Sequence, residues 1–173
     1  MIDQNIHTTI VSSTYDLLKE TDSALLRLCD QASSLVLIVN STEQGILPSH
    51  LSEEEITLLE LSEELCEHLL PLSRGDRSRK APDILAKMLN CIASELVWID
   101  RIQVLFEPSL ELDPLRQLQE LARIKPIIAI WPGQLTEQFL TFSVPGRADY
   151  QSYTANELAN LPIIHFVEQR EYK

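Results

Sequence analysis

Two short segments of this chain carry residues whose types and spacing could do chemistry. The first is "LVLIVNSTEQGIL" (Leu35 to Leu47), five apolar residues, a polar turn and the lone Gly45. A loop that cradles phosphate needs this layout. Glycines let backbone N–H groups close around the oxygens, a Lys reaches the β- and γ-phosphates, and a Ser or Thr hydroxyl holds Mg²⁺. Aligned on G-x-x-x-x-G-K-[ST] with Gly45 as the last glycine, Asn40 takes the first glycine position, Ile46 that of the lysine and Leu47 that of the hydroxyl. The second segment is "LVWIDRIQVLF", in which an apolar run ends at Asp100. A carboxylate at the C-terminal end of such a strand holds Mg²⁺ in P-loop ATPases. Arg101 then stands where many of them place a water-polarising Glu.

Either segment alone fits an ordinary strand and turn. Their order and interval, with a third apolar run "PIIAIWPG" one helix later, favour a P-loop-type ancestry. Loss of the Lys, the hydroxyl and the Glu removes phosphate clamping, metal binding and water activation together, each worth orders of magnitude in rate. The residues therefore predict a degenerate nucleotide site at Asn40, Ser41, Gly45, Ile46, Leu47, Asp100 and Arg101, with no catalytic residue, resident metal or cofactor. Arg101 and Asp100 are expected to form an internal ion pair, and the 41–49 loop to fold over the vacant site.

The elements that must position these residues follow from apolar spacing. Leu17, Leu18, Ala24, Leu25 and Leu28 recur at helical intervals, with Ser12, Ser13 and Thr14 as candidate caps, and predict helix over about 12–32. "SLVLIVN" lacks alternation and suits a central parallel strand covered on both faces. Ile56 to Leu59 reads as a short strand before the helix "LSEELCEHLL", or as part of one helix from Ser52 to Leu70. "APDILAKMLNCIA" reads as a helix with Pro82 in its first turn, "ELVWID" and "PIIAIWPG" as strands, and "PLRQLQELARI" as a helix capped by Asp113 with Pro114 first. The last forty residues read as short strands joined by turns at "VPG" and "LP". The expected fold is α/β, a three-layer sandwich with a mostly parallel sheet, P-loop NTPase-like with an AAA/ASCE-type core and no helical lid. A single domain of 1–173 divides into a helical segment (1–33), a core (34–133) and C-terminal strands and turns (134–173).

Composition narrows the function classes. The chain has 173 residues and a net charge of −12, with 14 basic against 26 acidic residues. That balance argues against strong nucleic-acid binding, which needs clustered Lys and Arg. The exception is "SRGDRSRK", read as a solvated loop, or as a patch in which Arg74, Arg77, Arg79 and Lys80 dock an acidic partner or nucleic acid held by a larger complex. No apolar run reaches the ~20 residues that span a membrane. The segment "MIDQNIHTTIVSS" lacks the pattern of a secretory signal. Cys29, Cys66 and Cys91 have no metal spacing and are expected as buried thiols, which suits a cytoplasmic protein. His7, His50, His68 and His165 show no ligand spacing. Glu63, Glu64, Glu67 and His68 read as a solvated helix face, and Trp98 and Trp131 as core.

The stretch from Trp98 to Tyr153 carries more specific patterns. Asp100, Ile102, Leu105, Phe106, Pro108, Leu110, Leu112, Asp113, Pro114 and Leu115 fit D-x-I-E-x-L-F-D-P-x-L-x-L-D-P-L. Trp131, Gly133, Leu140, Thr141, Pro145, Gly146, Tyr150 and Tyr153 fit a strand ending W-P-G followed by L-T-Y-x-x-P-G-x-x-x-Y-x-x-Y. In these positions the chain resembles the BrxF family, small P-loop proteins of type 3 BREX phage-defence systems. The likeness is poor before residue 56, and the family's intact phosphate loop is replaced by "NSTEQGILPSH". The resemblance implies an accessory subunit of a BREX-type complex that docks onto other phage-defence proteins without hydrolysing ATP. Self-association is compatible with it. The alternative is a regulatory switch that binds ATP or ADP weakly through backbone N–H groups of residues 41–46, the one reading in which ATP and Mg²⁺ are cofactors.

Overall fold

The structure is a computed structural model that describes residues 6, 8–28, 34–40 and 56–167. The chain runs β1 (Thr8–Val11), α1 (Thr14–Leu28), β2 (Leu35–Asn40), β3 (Ile56–Glu60), α2 (Leu61–Leu69), α3 (Arg74–Cys91) and β4 (Leu96–Asp100). Two 3₁₀ turns (Ile102–Phe106 and Pro108–Leu110) lead to α4 (Pro114–Leu121) and β5 (Ile127–Trp131). The remainder is β6 (Gln134–Leu135), β7 (Phe139–Phe142), β8 (Gln151–Thr154) and β9 (Ile163–Phe166). Six strands form an all-parallel sheet in the order β1-β9-β2-β5-β4-β3, and β6-β7-β8 form a small antiparallel sheet.

Alternation along the strands assigns the layers. Val36, Ile38, Trp98, Ile128, Ile130, Ile164 and Phe166 face one way and pack with Leu17 and Ala24 of α1. Leu35, Leu37, Val39, Val97, Ile99, Ile127 and Ala129 face the other way, against α2, α3 and α4. Right-handed crossovers require this split. The β1-to-β2 step moves one way across the sheet, whereas β3-to-β4, β4-to-β5 and β5-to-β9 move the other way. The β5-to-β9 crossover carries the antiparallel sheet where a helix would normally lie, and Leu140, Tyr153 and Leu158 join the larger core.

Three of the four described helices start on a side-chain cap, α2 being the exception. Ser13 Oγ accepts from Asp16 N–H (3.1 Å), Ser73 Oγ from Asp76 N–H (3.3 Å) and Asp113 Oδ1 from Arg116 N–H (3.1 Å). Each relieves an orphan donor of the first turn. The Ser73 cap corrects one expectation, because α3 begins at Arg74 and Pro82 lies inside it. The basic segment is thus the first two turns of a helix and not a loop. One open reading is decided and two further expectations change. Ile56–Glu60 is a strand separate from α2, which decides between the two readings of that region. Residues Thr8–Val11 form a strand within the segment expected to be helical, because β9 supplies a parallel partner 155 positions away, as in Thr8↔Ile163. Cys66 and Cys91 are exposed, not buried, while Cys29 lies outside the described residues.

Acid weakens this fold in a defined window. A hydroxyl from Ser73 beside Asp76, one from Ser143 beside Asp149, and the Thr154 backbone N–H beside Glu157 hold these carboxyls below their ordinary values. Burial likewise lowers the His165 imidazole. All four bind protons more readily when unfolded, so their contributions are present at neutral pH and are lost on acidification. The urea midpoint is expected to start falling below about pH 6.5 and to fall more steeply below about pH 4.5. A midpoint that stays flat from neutrality to pH 4 would contradict these contacts.

Candidate functional site

In a parallel α/β sheet, ligands bind beyond the carboxyl ends of the strands, at the point where chain connections diverge. Here β2 leads toward β3 on one side and β5 leads toward β9 on the other, so that point lies between β2 and β5. Asn40 ends β2, Trp131 ends β5, Asp100 ends β4 and Glu60 ends β3. The sheet therefore brings Asn40, Asp100 and Arg101 to one edge, with Asp100 two strand spacings from Asn40, roughly 10 Å. Ser41, Gly45, Ile46, Leu47 and the expected 41–49 covering loop lie outside the described residues.

The Asp100 end is built differently from the expected ion pair. Asp100 Oδ1 accepts the backbone N–H of Arg101 at 2.6 Å, while the Arg101 guanidinium pairs with Glu60 at 3.5 Å. Register explains the choice, since Glu60 is the Cα partner of Asp100 on the neighbouring strand. Arg101 itself sits in the left-handed region (φ 52°, ψ 49°), which turns its side chain away from the strand direction. Its carbonyl accepts both the N–H and the hydroxyl of Ser62, and Ser62 Oγ accepts from Val104 N–H at 3.1 Å. One hydroxyl thus ties the first turn of α2 to the loop after β4.

A left-handed conformation costs an L-residue about 1–2 kcal/mol, and glycine avoids this. Arg101→Gly is therefore expected to leave stability within about 1 kcal/mol of the parent, because relief of strain offsets an exposed ion pair of small worth. Arg101→Ile is expected to lose about 1–2 kcal/mol, since a β-branched residue tolerates this conformation poorly. Equal losses in the two variants, measured by urea denaturation, would show that the backbone at Arg101 is unstrained.

At the end of β5 stands Trp131, fully buried, whose Nε1–H donates to the Thr141 carbonyl at 2.9 Å. Its ring meets Phe106 edge-on (5.1 Å between centroids) and Tyr153 edge-on (5.7 Å), and Phe106 stacks on Phe142 at 3.7 Å. Tyr153 O–H donates to Asp113 Oδ1 (2.9 Å) and accepts from Leu115 N–H (3.3 Å). Burial, reinforced by the Asp113 carboxylate, pushes this phenol above its usual value, so it stays protonated as a donor. The aromatic cluster joins the antiparallel sheet to α4 and offers no group to a phosphate.

The basic segment is largely spent on the fold. Arg77 donates from Nε to the carbonyls of Leu69 (3.0 Å) and Leu72 (3.1 Å), and from a terminal nitrogen to Leu70 (3.2 Å), which closes the C-terminus of α2. Arg79 and Lys80 both pair with Asp76. Arg74 is exposed at the start of α3. Among the described residues no three His, Cys, Asp or Glu side chains gather as a metal-binding group. No described helix is long and apolar enough to cross a membrane. Sequence reasoning missed Glu60 as a member of this edge; only the β3–β4 register places it beside Asp100. Compared with family models, curated proteins and solved structures, the chain matches none.

Proposed function

We propose that this chain is a non-catalytic, ATPase-like accessory subunit of a prokaryotic BREX-type phage-defence complex, acting in the cytoplasm through protein–protein docking. The observation that carries the ATPase-like part is the strand order. In additional-strand P-loop ATPases a sensor strand separates the phosphate-loop strand from the strand that ends in the metal-holding acid. Here β5 lies between β2 and β4, and Asp100 ends β4. The loss of chemistry rests on Ile46, Leu47 and Arg101 in the sequence, on the pairing of Arg101 with Glu60, and on a buried Trp131 at the sensor position. Without the phosphate-clamping lysine and the water-polarising carboxylate, hydrolysis has no driving group. The defence assignment rests on the resemblance between Trp98 and Tyr153.

The test has two parts. The purified chain is expected to show no ATP turnover above a buffer blank and, when tagged in its own host, to bring down other phage-defence proteins. Recovery of the chain alone would count against the docking role. The divergence of connections between β2 and β5 favours the nucleotide-switch reading as the second choice, because nucleotides bind at such points. Titration calorimetry with ATP and ADP, with and without Mg²⁺, separates them: heat at millimolar nucleotide supports the switch, and its absence supports the scaffold.

A further inference from the structure

The outward face of α1 is the surface whose pattern identifies its own partner. Leu17, Thr21 and Ala24 turn inward and are buried, so the residues on the opposite side face solvent. Those residues are Tyr15, Lys19, Asp22 and Leu26, all exposed, with Tyr15 at 76% and Leu26 at 74%. Their spacing of four, three and four keeps them on one stripe of a 3.6-residue helix. That spacing is the one at which two helices can face each other along a seam, here with apolar Tyr15 and Leu26 at its ends and charged Lys19 and Asp22 between them.

We propose that α1 pairs with α1 of a second copy of this chain, antiparallel and across a two-fold axis. The stripe is self-complementary in only that sense. With the axis midway between Glu20 and Thr21, Tyr15 of each copy meets Leu26 of the other, and Lys19 of each meets Asp22 of the other. The apolar pairs and the opposite-charge pairs fall into place at one register, as an isologous interface requires. A parallel pairing would set Lys19 on Lys19 and Asp22 on Asp22, which repels. The net charge of −12 opposes indiscriminate self-contact, and Lys19 is the only cation from residue 14 to 26. Recognition therefore rests on the two Lys19–Asp22 pairs. The stripe is short and lies at the small end of specific interfaces, so the dimer forms in a concentration-dependent equilibrium.

Sedimentation equilibrium of the full chain, from micromolar to sub-millimolar concentration at low salt, reads this directly. The parent is expected to show a reversible monomer–dimer equilibrium. Lys19→Asp is expected to weaken association by about tenfold or more, because two attractive pairs become repulsive. The double variant Lys19→Asp/Asp22→Lys is expected to restore it. Both substituted positions lie on the solvent face, and circular dichroism checks that the helix is retained. A parent that stays monomeric throughout overturns the proposal, as does a dimer indifferent to Lys19→Asp or a double variant that remains monomeric.

Discussion

Gly133→Ala is expected to destabilise the protein by about 4 kcal/mol or more, or to prevent its recovery in folded form. A Cβ built on Gly133 falls 1.7 Å from the Thr141 carbonyl oxygen, 2.8 Å from its carbonyl carbon and 2.7 Å from Trp131 Nε1. Two of these three atoms belong to backbone that cannot swing aside. The Thr141 carbonyl is also the acceptor for Trp131 and lies in the β6–β7 pairing, where Gln134 faces Thr141. A methyl group there must separate the antiparallel sheet from the end of β5. For a chain of this size the loss corresponds to roughly 8–16 °C in Tm. Gly75 provides the control, since it lies in the first turn of α3 with open space around its Cα. Gly75→Ala is expected to be neutral or to stabilise by up to about 1 kcal/mol through helix propensity. Similar Tm values for the two variants would contradict the close approach at Gly133.

Trp131→Ala is expected to cost about 3–5 kcal/mol, the range for deleting a buried aromatic side chain. Contacts with Phe106 and Tyr153 are lost along with the ring, and the Thr141 carbonyl loses its donor. A paired comparison isolates the hydrogen bond. Trp98 is equally buried, on the opposite face of the sheet, but its Nε1 has no hydrogen-bond partner among the described residues. Trp131→Phe is therefore expected to cost about 1–2 kcal/mol more than Trp98→Phe in urea denaturation, after similar losses of volume. Equal costs would mean that the Trp131–Thr141 bond adds nothing in solution.

Both experiments bear on the patterned stretch from Trp98 to Tyr153. Phe106, Asp113, Leu115, Trp131, Gly133, Thr141 and Tyr153 gather around one junction, where the antiparallel sheet meets β5 and α4. The specific residue types there answer to packing. A tyrosine is needed to satisfy Asp113 and Leu115 at once, a tryptophan to reach a carbonyl ten residues on, and a glycine to let two backbones touch. Asp100 lies apart from this junction, where it accepts the Arg101 N–H, and Arg101 is engaged with Glu60.

Much of this fold is written locally. The unalternated runs at Leu35–Val39, Val97–Ile99 and Ile127–Ile130 demand burial on both faces, which only a parallel sheet between helices provides. Asp113 followed by Pro114 sets the start of α4 by capping chemistry within four residues. What depended on partners distant in sequence was not readable. Thr8–Val11 is a strand only because β9 lies beside it, and β9 joins the main sheet only through its register with β2. Pro82 suggested a helix start, yet the Ser73 cap nine residues earlier opened the helix first. The site shows the same division. The sequence determined that Ile46 and Leu47 follow Gly45 where a phosphate-loop pattern would carry Lys and Ser or Thr, and that Arg101 follows Asp100, since residue type alone decides that. Only the tertiary structure decided that Arg101 turns to Glu60 and leaves the Asp100 carboxylate to a backbone N–H, because strand register brings Glu60 level with Asp100 and a left-handed residue redirects the chain.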